Sequence, residues 1–300
     1  MNSVTLTNAR SFSRPLAFIE LLKLRLNALV ILAALGGFFL ALPAGNAADM
    51  LTLVALGGGV LLSAGGASAI NMALEAHLDL VMERTRTRPI PSGRVTKDES
   101  ILFGAFSVLA GVLMLWAACG AVAASISAAT VLIYAAIYTP LKTRHNVNTI
   151  VGAIPGALPV LVGWAAAGAA FNAAAWSLFT LIFVWQFPHF LAIATLYRED
   201  YARAGFRMLP VEDATGLRTA HRALLHGLIY IPVSLLPSAL GLGGELSFYG
   251  NLVVAVLFLG CTLRAAFRRS EESWRLLFRA SLLVLPVQFA LLLIDHMTGK

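Results

Sequence analysis

Apolar runs separated by short polar connections extend over almost the whole chain. Nine of these runs approach or exceed the roughly 20 residues that a helix needs to cross a bilayer. They lie at residues 24–43, 51–74, 100–118, 120–139, 148–168, 174–197, 222–241, 246–266 and 276–295. Proline and glycine inside several runs are compatible with bundled membrane helices, because neighbouring helices can satisfy the freed backbone groups. The pattern predicts an all-α polytopic membrane bundle of nine transmembrane helices in one domain over residues 1–300.

The composition supports a membrane protein and excludes several other classes. Apolar residues make up 59% of the chain without counting glycine, and charged residues only 12%. Soluble domains are about 45–50% apolar with glycine included and about 25% charged. The mean hydropathy of +0.81 applies to the whole length. A soluble enzyme, a disordered chain and a disulfide scaffold are therefore excluded.

The basic residues are segregated between the two sides of the predicted bundle. Of the 22 lysines and arginines, all but Lys300 fall in the N-terminal segment or in every second connection. By the positive-inside rule the N-terminus is expected in the cytoplasm and the C-terminus outside. Arg10 and Arg14 ahead of the first run could instead belong to a signal peptide cleaved near residues 44–47. We expect an uncleaved cytoplasmic segment over residues 1–22.

Polar residues with metal-ligand character lie at the end of the second run and directly after it. Asn71, Glu75 and Asp79 are spaced four residues apart, so on a helix they form one stripe. Hard oxygen ligands of this kind suit Mg²⁺, which is commonly held by carboxylates together with substrate phosphates. Arg84 and Arg88 come next and are the side chains that bind phosphate oxygens. The alternatives are a polar helix end paired with arginines, the positive-inside bias, or contact with anionic lipid.

A second acidic cluster, Glu199 and Asp200, follows the sixth run. It is separated from the first cluster by four predicted spans, which indicates a pseudo-repeat of two four-helix halves plus one helix. Both clusters fall in predicted cytoplasmic loops, 75–99 and 198–221. Lys142, between them, could neutralise a leaving diphosphate. The net charge of +7 is thus explained by topology and a phosphate site, without a nucleic-acid partner.

These motifs resemble the UbiA superfamily of intramembrane prenyltransferases, and most closely its haem-prenylating branch. The likeness covers residues 23–297. It is carried by Asn71-x3-Glu75-x3-Asp79, by Met82-x-Arg84-Thr85-x2-Arg88-Pro89, and by the segments 138–142, 152–164, 185–190 and 200–210. The resemblance implies nine helices around a central cavity and Mg²⁺-dependent transfer of farnesyl from farnesyl diphosphate to a vinyl group of haem B, giving haem O.

The resemblance also implies roles for individual residues. Asn71, Glu75 and Asp79 would hold one metal ion, and Asp200 with Glu199 a second. Arg84, Arg88 and Lys142 would bind diphosphate, and Asn71, Glu75, Asp79, Lys142 and Asp200 would form the catalytic set. The compact Glu199-Asp200 pair departs from the spaced D-x3-D of the wider superfamily, which leaves the second set less well defined.

The acceptor is less strongly indicated by the sequence than the diphosphate site. His189, beside Pro188 in the sixth run, is an intramembrane ionisable group and a candidate haem contact; the alternative is an interhelical hydrogen bond at the proline. His77 is a second candidate, the alternative being loop packing. Another aromatic acceptor such as a quinone precursor stays open, as does a transporter or lipid-binding protein. The resemblance also implies a haem A synthase as a partner. A bacterial inner membrane is the expected location, with the mitochondrial inner membrane as the alternative.

Overall fold

The computed structural model describes residues 14–43 and 48–298, and every regular element among them is helical. Arg10, residues 44–47 of the alternative cleavage site and Lys300 lie outside the described residues. A short helix α1 covers residues 14–21. The long helices are α2 Leu24–Ala41, α3 Met50–Leu74, α5 Lys97–Leu132, α7 Asn148–Ala166, α8 Ala173–Leu196, α11 Leu217–Ala239, α12 Glu245–Arg268 and α13 Glu271–Thr298. The short elements are α4 Ala76–Asp79, a π-helix Ile133–Tyr138, α6 Thr139–Leu141, α9 Arg198–Arg203 and α10 Leu209–Glu212.

Eight helical segments of the described residues are long and apolar enough to cross a membrane. The difference from the predicted nine lies in one segment, Lys97–Leu141, which contains both predicted spans 100–118 and 120–139. At about 1.5 Å per residue this segment would be about 68 Å long, more than twice the hydrocarbon thickness. It is interrupted at Gly120, whose φ of 88° and ψ of 166° are not helical.

The direction of the chain reverses at Gly120. Before it, the contacts with α3 are antiparallel: Ser100 donates to the Ala69 carbonyl (3.0 Å), and Gly111 packs against Gly59. After it, they are parallel, because Ser127 donates to Ser63 (2.9 Å) and Asn71 donates to Thr139 (3.0 Å). The two halves therefore follow the course predicted for spans 100–118 and 120–139, while the total of nine spans stays a prediction.

Several helices begin before the apolar runs that predicted them. Helix α11 begins at Leu217 and α13 at Glu271, each five residues before the predicted spans 222–241 and 276–295. Hydropathy underestimates such helices because polar residues can continue a helix beyond the apolar run. Helix α5 begins one turn before its run, where Thr96 and Glu99 form a reciprocal capping box. The predicted pseudo-repeat of two halves stays a prediction.

Glycine allows α2 and α7 to cross at very short distance. A Cβ atom at Gly163 would lie 1.7 Å from the carbonyl oxygen of Ala34, and one at Gly37 would lie 2.1 Å from that of Val160. Small residues serve membrane helices in this way because packing replaces the hydrophobic effect inside lipid. This crossing positions the walls of the cavity described below.

Candidate functional site

The connections that carry most of the basic residues meet at one end of the bundle. Arg94 pairs with Glu20 of α1 (2.7 Å). Lys142 pairs with Glu75, and the Arg269 side chain donates to the Thr215 carbonyl (3.2 Å). Segments separated by more than 50 residues are therefore adjacent, as a shared membrane face requires.

The first polar motif lies where α3 continues into α4. Glu75 has φ −93° and ψ 5°, but its N–H still donates to the Asn71 carbonyl (2.9 Å). The N–H of Asp79 donates to the Glu75 carbonyl (2.8 Å). This i to i+4 bonding keeps Asn71, Glu75 and Asp79 in helical phase, and each of them is at most 5% exposed. Two carboxylates are thus buried within one turn of helix.

Each of these carboxylates is paired with a cation. Nζ of Lys142 lies 2.7 Å from Oε1 of Glu75. Nη1 of Arg88 donates to both carboxylate oxygens of Asp79, at 2.8 Å each. Burial alone would lower the pKa of Lys142, but the Glu75 carboxylate together with Tyr134 and Tyr201 outweighs burial and raises that pKa above its ordinary value. Lys142 therefore stays charged at neutral pH.

A third cation faces the same cluster and was not singled out from the sequence. Lys23, in the break between α1 and α2, interacts electrostatically with Arg88, Lys142, Glu75 and Asp79. It forms no ion pair or hydrogen bond through its side chain within the described part of the chain. Three basic side chains, Lys23, Arg88 and Lys142, thus converge on two acids. From the sequence alone, Lys23 looked like an ordinary positive-inside residue ahead of the first span.

Asp200 joins the second acidic motif to the first loop. Its carboxylate accepts from the backbone N–H groups of Glu83 and Arg84, both at 3.3 Å, and from the side chain of Arg203. Burial alone would raise the pKa of Asp200, but these donors outweigh burial and hold that pKa below its ordinary value. Glu199, by contrast, is exposed. The structure therefore brings Asp200, and not its neighbour, into the packed interior.

The two predicted phosphate-binding arginines have different surroundings. Arg88 is held by Asp79 and is partly buried, whereas Arg84 is exposed. The Arg84 guanidinium lies over the ring of Tyr197, 4.8 Å from its centroid, and donates to the Tyr201 hydroxyl (3.3 Å). Arg84 is thus anchored to aromatic rings of the second motif.

The oxygen atoms of the first polar motif fit a magnesium ion that is bound by few protein ligands. Within residues 14–43 and 48–298, no three His, Cys, Asp or Glu side chains gather as a metal cluster. However, Glu75 and Asp79 are both buried and share one helical phase, and each carboxylate is held by the cation that pairs with it. Mg²⁺ is commonly held by one or two carboxylates together with waters and substrate phosphates. Glu75, Asp79 and the amide oxygen of Asn71 match that pattern.

A mostly apolar cavity of about 300 Å³ opens beside the charged cluster. Tyr138 connects the two, because its ring lines the cavity and lies 4.6 Å from Nζ of Lys142. Prolines and small residues of α7 form one wall, and α2, α3 and α8 form others. Such a cavity can hold a long apolar chain whose polar head faces the cations.

The two candidate histidines lie in different places. His189 is 9% exposed and lines the cavity. Its Nδ1 lies 2.7 Å from the hydroxyl oxygen of Ser281, a residue of α13 that the sequence did not single out. His77 is exposed on α4 and does not line the cavity. The structure therefore brings only His189 to the place where an acceptor could lie.

Residues 29–285 match the model of the UbiA prenyltransferase family. The chain belongs to the UbiA prenyltransferase family. Two curated relatives extend over almost the whole length. The protoheme IX farnesyltransferase of Solibacter usitatus (strain Ellin6076) is 40% identical, covering 93% of this chain and 98% of the relative. The protoheme IX farnesyltransferase of Myxococcus xanthus (strain DK1622) is 36% identical, covering 96% and 98%.

Solved structures with the UbiA fold resemble the chain at low sequence identity. A digeranylgeranylglyceryl phosphate synthase matches with a TM-score of 0.78 at 14% identity, covering 95% of this chain and 99% of the other. A UbiA homolog from Archaeoglobus fulgidus bound to GPP and Mg²⁺ matches with a TM-score of 0.65 at 16% identity, covering 92% and 99%. These matches show the shared fold.

Proposed function

We propose that this UbiA-family chain transfers the farnesyl group of farnesyl diphosphate to a vinyl group of haem B, giving haem O and diphosphate. The observation that carries the proposal is the 40% identity with a protoheme IX farnesyltransferase over 93% of the chain. The C1–O bond of farnesyl diphosphate breaks, and the vinyl group forms a C–C bond to the allylic carbon. Water then adds to the resulting cation and a proton is released.

The charged cluster would bind the diphosphate. Lys23, Arg88 and Lys142 supply positive charge, which stabilises the leaving group as its bond to carbon breaks. Asn71, Glu75 and Asp79 would hold Mg²⁺, which neutralises diphosphate oxygens when bound. Asp200 would serve a second ion, with Glu199 as a weaker candidate because of its exposure. Arg84 would contact the diphosphate from the loop that Asp200 holds in place.

The cavity would hold the farnesyl tail and the acceptor. Its lining is largely apolar and excludes water from the allylic carbon until the new bond has formed. His189 is the imidazole available to the haem, and His77 is exposed on the loop. Magnesium dependence has indirect support from a UbiA homolog bound to DMAPP and Mg²⁺.

We also propose the orientation and the cellular setting. The charged end of the bundle would face the cytoplasm of a bacterial inner membrane, with the C-terminus outside, because basic residues are retained on that side. In the same arrangement, residues 1–300 form one domain. Its loops 75–99 and 198–221 would lie over the active site. A haem A synthase is the partner that would take the product.

A single assay tests the function. Membranes containing the protein, supplied with haem B, farnesyl diphosphate and Mg²⁺, should yield haem O, identified by chromatography and mass spectrometry. Asp79→Asn should lose at least about tenfold in rate, because it leaves Arg88 without its carboxylate and removes a metal ligand; one hydrogen bond to a charged group is worth about 1.5–3 kcal/mol.

The matched control is Asp98→Asn, which changes an exposed acid in the first turn of α5. That variant should retain full activity. On size-exclusion chromatography in detergent, both variants should elute at the volume of the folded wild-type protein. A prenylated quinone precursor in place of haem O would refute the acceptor. Full activity of Asp79→Asn would refute the metal and diphosphate assignment.

A further inference from the structure

The contacts of Ser281 determine which nitrogen of His189 carries a hydrogen. The Ser281 hydroxyl oxygen lies 2.6 Å from the carbonyl oxygen of Phe278 and 2.7 Å from Nδ1 of His189. Two oxygens 2.6 Å apart need a hydrogen between them, and a serine hydroxyl has one. That hydrogen therefore points to Phe278, and the contact with Nδ1 must be made by an imidazole N–H. In its neutral form, His189 then carries its lone pair on Nε2.

The lone pair of Nε2 is on the cavity side. Ser281 is fully buried behind the wall, whereas His189 lines the cavity. The edge of the ring that carries Nδ1 faces Ser281, which is not part of the cavity lining, so the edge that carries Nε2 is the one left to face the cavity. Within the part of the chain that the structure describes, no hydrogen bond involves Nε2.

The ring is also held in orientation by its neighbours. Trp185 stacks on His189 with ring centroids 4.9 Å apart and an interplanar angle of 20°. The indole N–H of Trp185 donates to the carbonyl of Ser281 (3.0 Å). Ser281 therefore holds both the indole of Trp185 and the imidazole of His189. Phe278 contacts the imidazole from α13, with centroids 5.4 Å apart. The imidazole therefore cannot rotate without breaking contacts to two helices.

We propose that Ser281 is a positioning residue that holds His189 as the Nδ1–H tautomer, so that Nε2 serves as an axial ligand to the iron of a haem in the cavity. Histidine ligands to metals characteristically donate their second N–H to a fixed acceptor, which sets the tautomer and the ring orientation. Here the acceptor is a serine hydroxyl. The proposal rests on the proposed function, because it takes the acceptor to be an iron porphyrin.

The test measures porphyrin binding spectroscopically in the purified full-length protein. Ferric haem added to the wild type should give the absorption and electron paramagnetic resonance spectra of an imidazole-ligated iron. Ser281→Ala should weaken haem binding by about 10–100-fold, the usual effect of losing such a partner, and should reduce the imidazole signature. Ser281→Thr keeps the hydroxyl and should restore both.

Two controls separate ligation from packing. Metal-free protoporphyrin IX offers no iron, so its affinity should be the same for the wild type and Ser281→Ala; an equal loss for both porphyrins would mean that the cavity had collapsed and would overturn the proposal. Ser234→Ala removes another fully buried serine that donates to the carbonyl three residues earlier (2.7 Å), and it should leave haem binding unchanged.

The outcomes distinguish this inference from the function on which it rests. A wild type that binds neither porphyrin would refute haem as the acceptor. Haem binding without an imidazole signature, or an imidazole signature unaffected by Ser281→Ala, would overturn the role of Ser281 while haem O formation persisted. The expected result is loss of the imidazole signature in His189→Ala and its reduction in the separate variant Ser281→Ala.

Discussion

Two residues other than glycine adopt positive φ among the described residues, and they lie in different surroundings. Lys23 has φ 47° and Arg269 has φ 49°. The left-handed conformation costs a residue with a Cβ roughly 1–2 kcal/mol. Lys23 faces the charged cluster, whereas the Arg269 side chain donates to the Thr215 carbonyl. Strain of this kind persists where the surrounding structure imposes it, and at Lys23 it turns an ammonium group towards the site.

The exchange Lys23→Gly should separate stability from binding. Glycine tolerates positive φ, so the thermal unfolding midpoint in detergent should not fall. The lost cation should raise KM for farnesyl diphosphate about tenfold, since a hydrogen bond to a charged group is worth about 1.5–3 kcal/mol. Arg269→Gly removes the same backbone strain at a positive φ, and it should leave KM for farnesyl diphosphate unchanged. An unchanged KM in Lys23→Gly would contradict its role in diphosphate binding.

At the scale of helices, the cavity depends on close crossings that leave no room for a side chain. Helices α2 and α7 contribute Ala33, Pro159 and Val162 to its lining. The same two helices are in backbone contact at Gly37 and Gly163. Any increase in their separation would therefore alter the walls of the cavity.

The exchange Gly163→Ala tests this crossing. Its Cβ would lie 1.7 Å from the Ala34 carbonyl oxygen, so the helices must move apart. Overpacking costs typically about 1–3 kcal/mol, and the unfolding midpoint should fall together with activity. Gly57→Ala is the control, because nothing lies within 4 Å of its added Cβ; alanine there should be neutral or stabilise α3 by about 0.5–1 kcal/mol. Equal midpoints for the two variants would refute the crossing.

For the whole molecule, the reversal at Gly120 determines which connections share a membrane face. If residues 97–119 and 121–141 are two passes, residue 121 lies on the opposite side from Lys142 and the charged cluster. The contacts of each half with α3 require this arrangement. A single pass through the same segment would put the first motif and Lys142 on opposite faces, yet they form an ion pair.

Cysteine labelling in intact bacterial cells measures this arrangement. The chain has two cysteines, Cys119 and Cys261, which would be changed to serine first. Ala121→Cys should then react with a membrane-impermeant maleimide from outside the cell. Arg144→Cys should react only after permeabilisation. Labelling of both positions from the same side would contradict the reversal and the proposed orientation.

Much of the fold and part of the candidate site could be predicted from local properties of the chain. Hydropathy located the helices, because a bilayer requires long apolar runs wherever the backbone crosses it. Helical spacing placed Asn71, Glu75 and Asp79 together, and the structure buries all three. Hydropathy places the starts of α11 and α13 five residues too late, because it records where a helix is apolar and not where its hydrogen bonding begins.

The sequence by itself determined that this is a helical membrane protein in which most basic residues lie in alternate connections and nine of the 15 acids lie in two of those connections. Those properties depend on neighbours along the chain, on apolar runs and on the cost of moving cations across lipid. Tertiary structure alone decided that Lys142 pairs with Glu75, that Lys23 joins the charged cluster, and that Ser281 meets His189 across 92 positions. Such contacts depend on how helices pack, and helix packing leaves no period or spacing in the sequence from which they could be read.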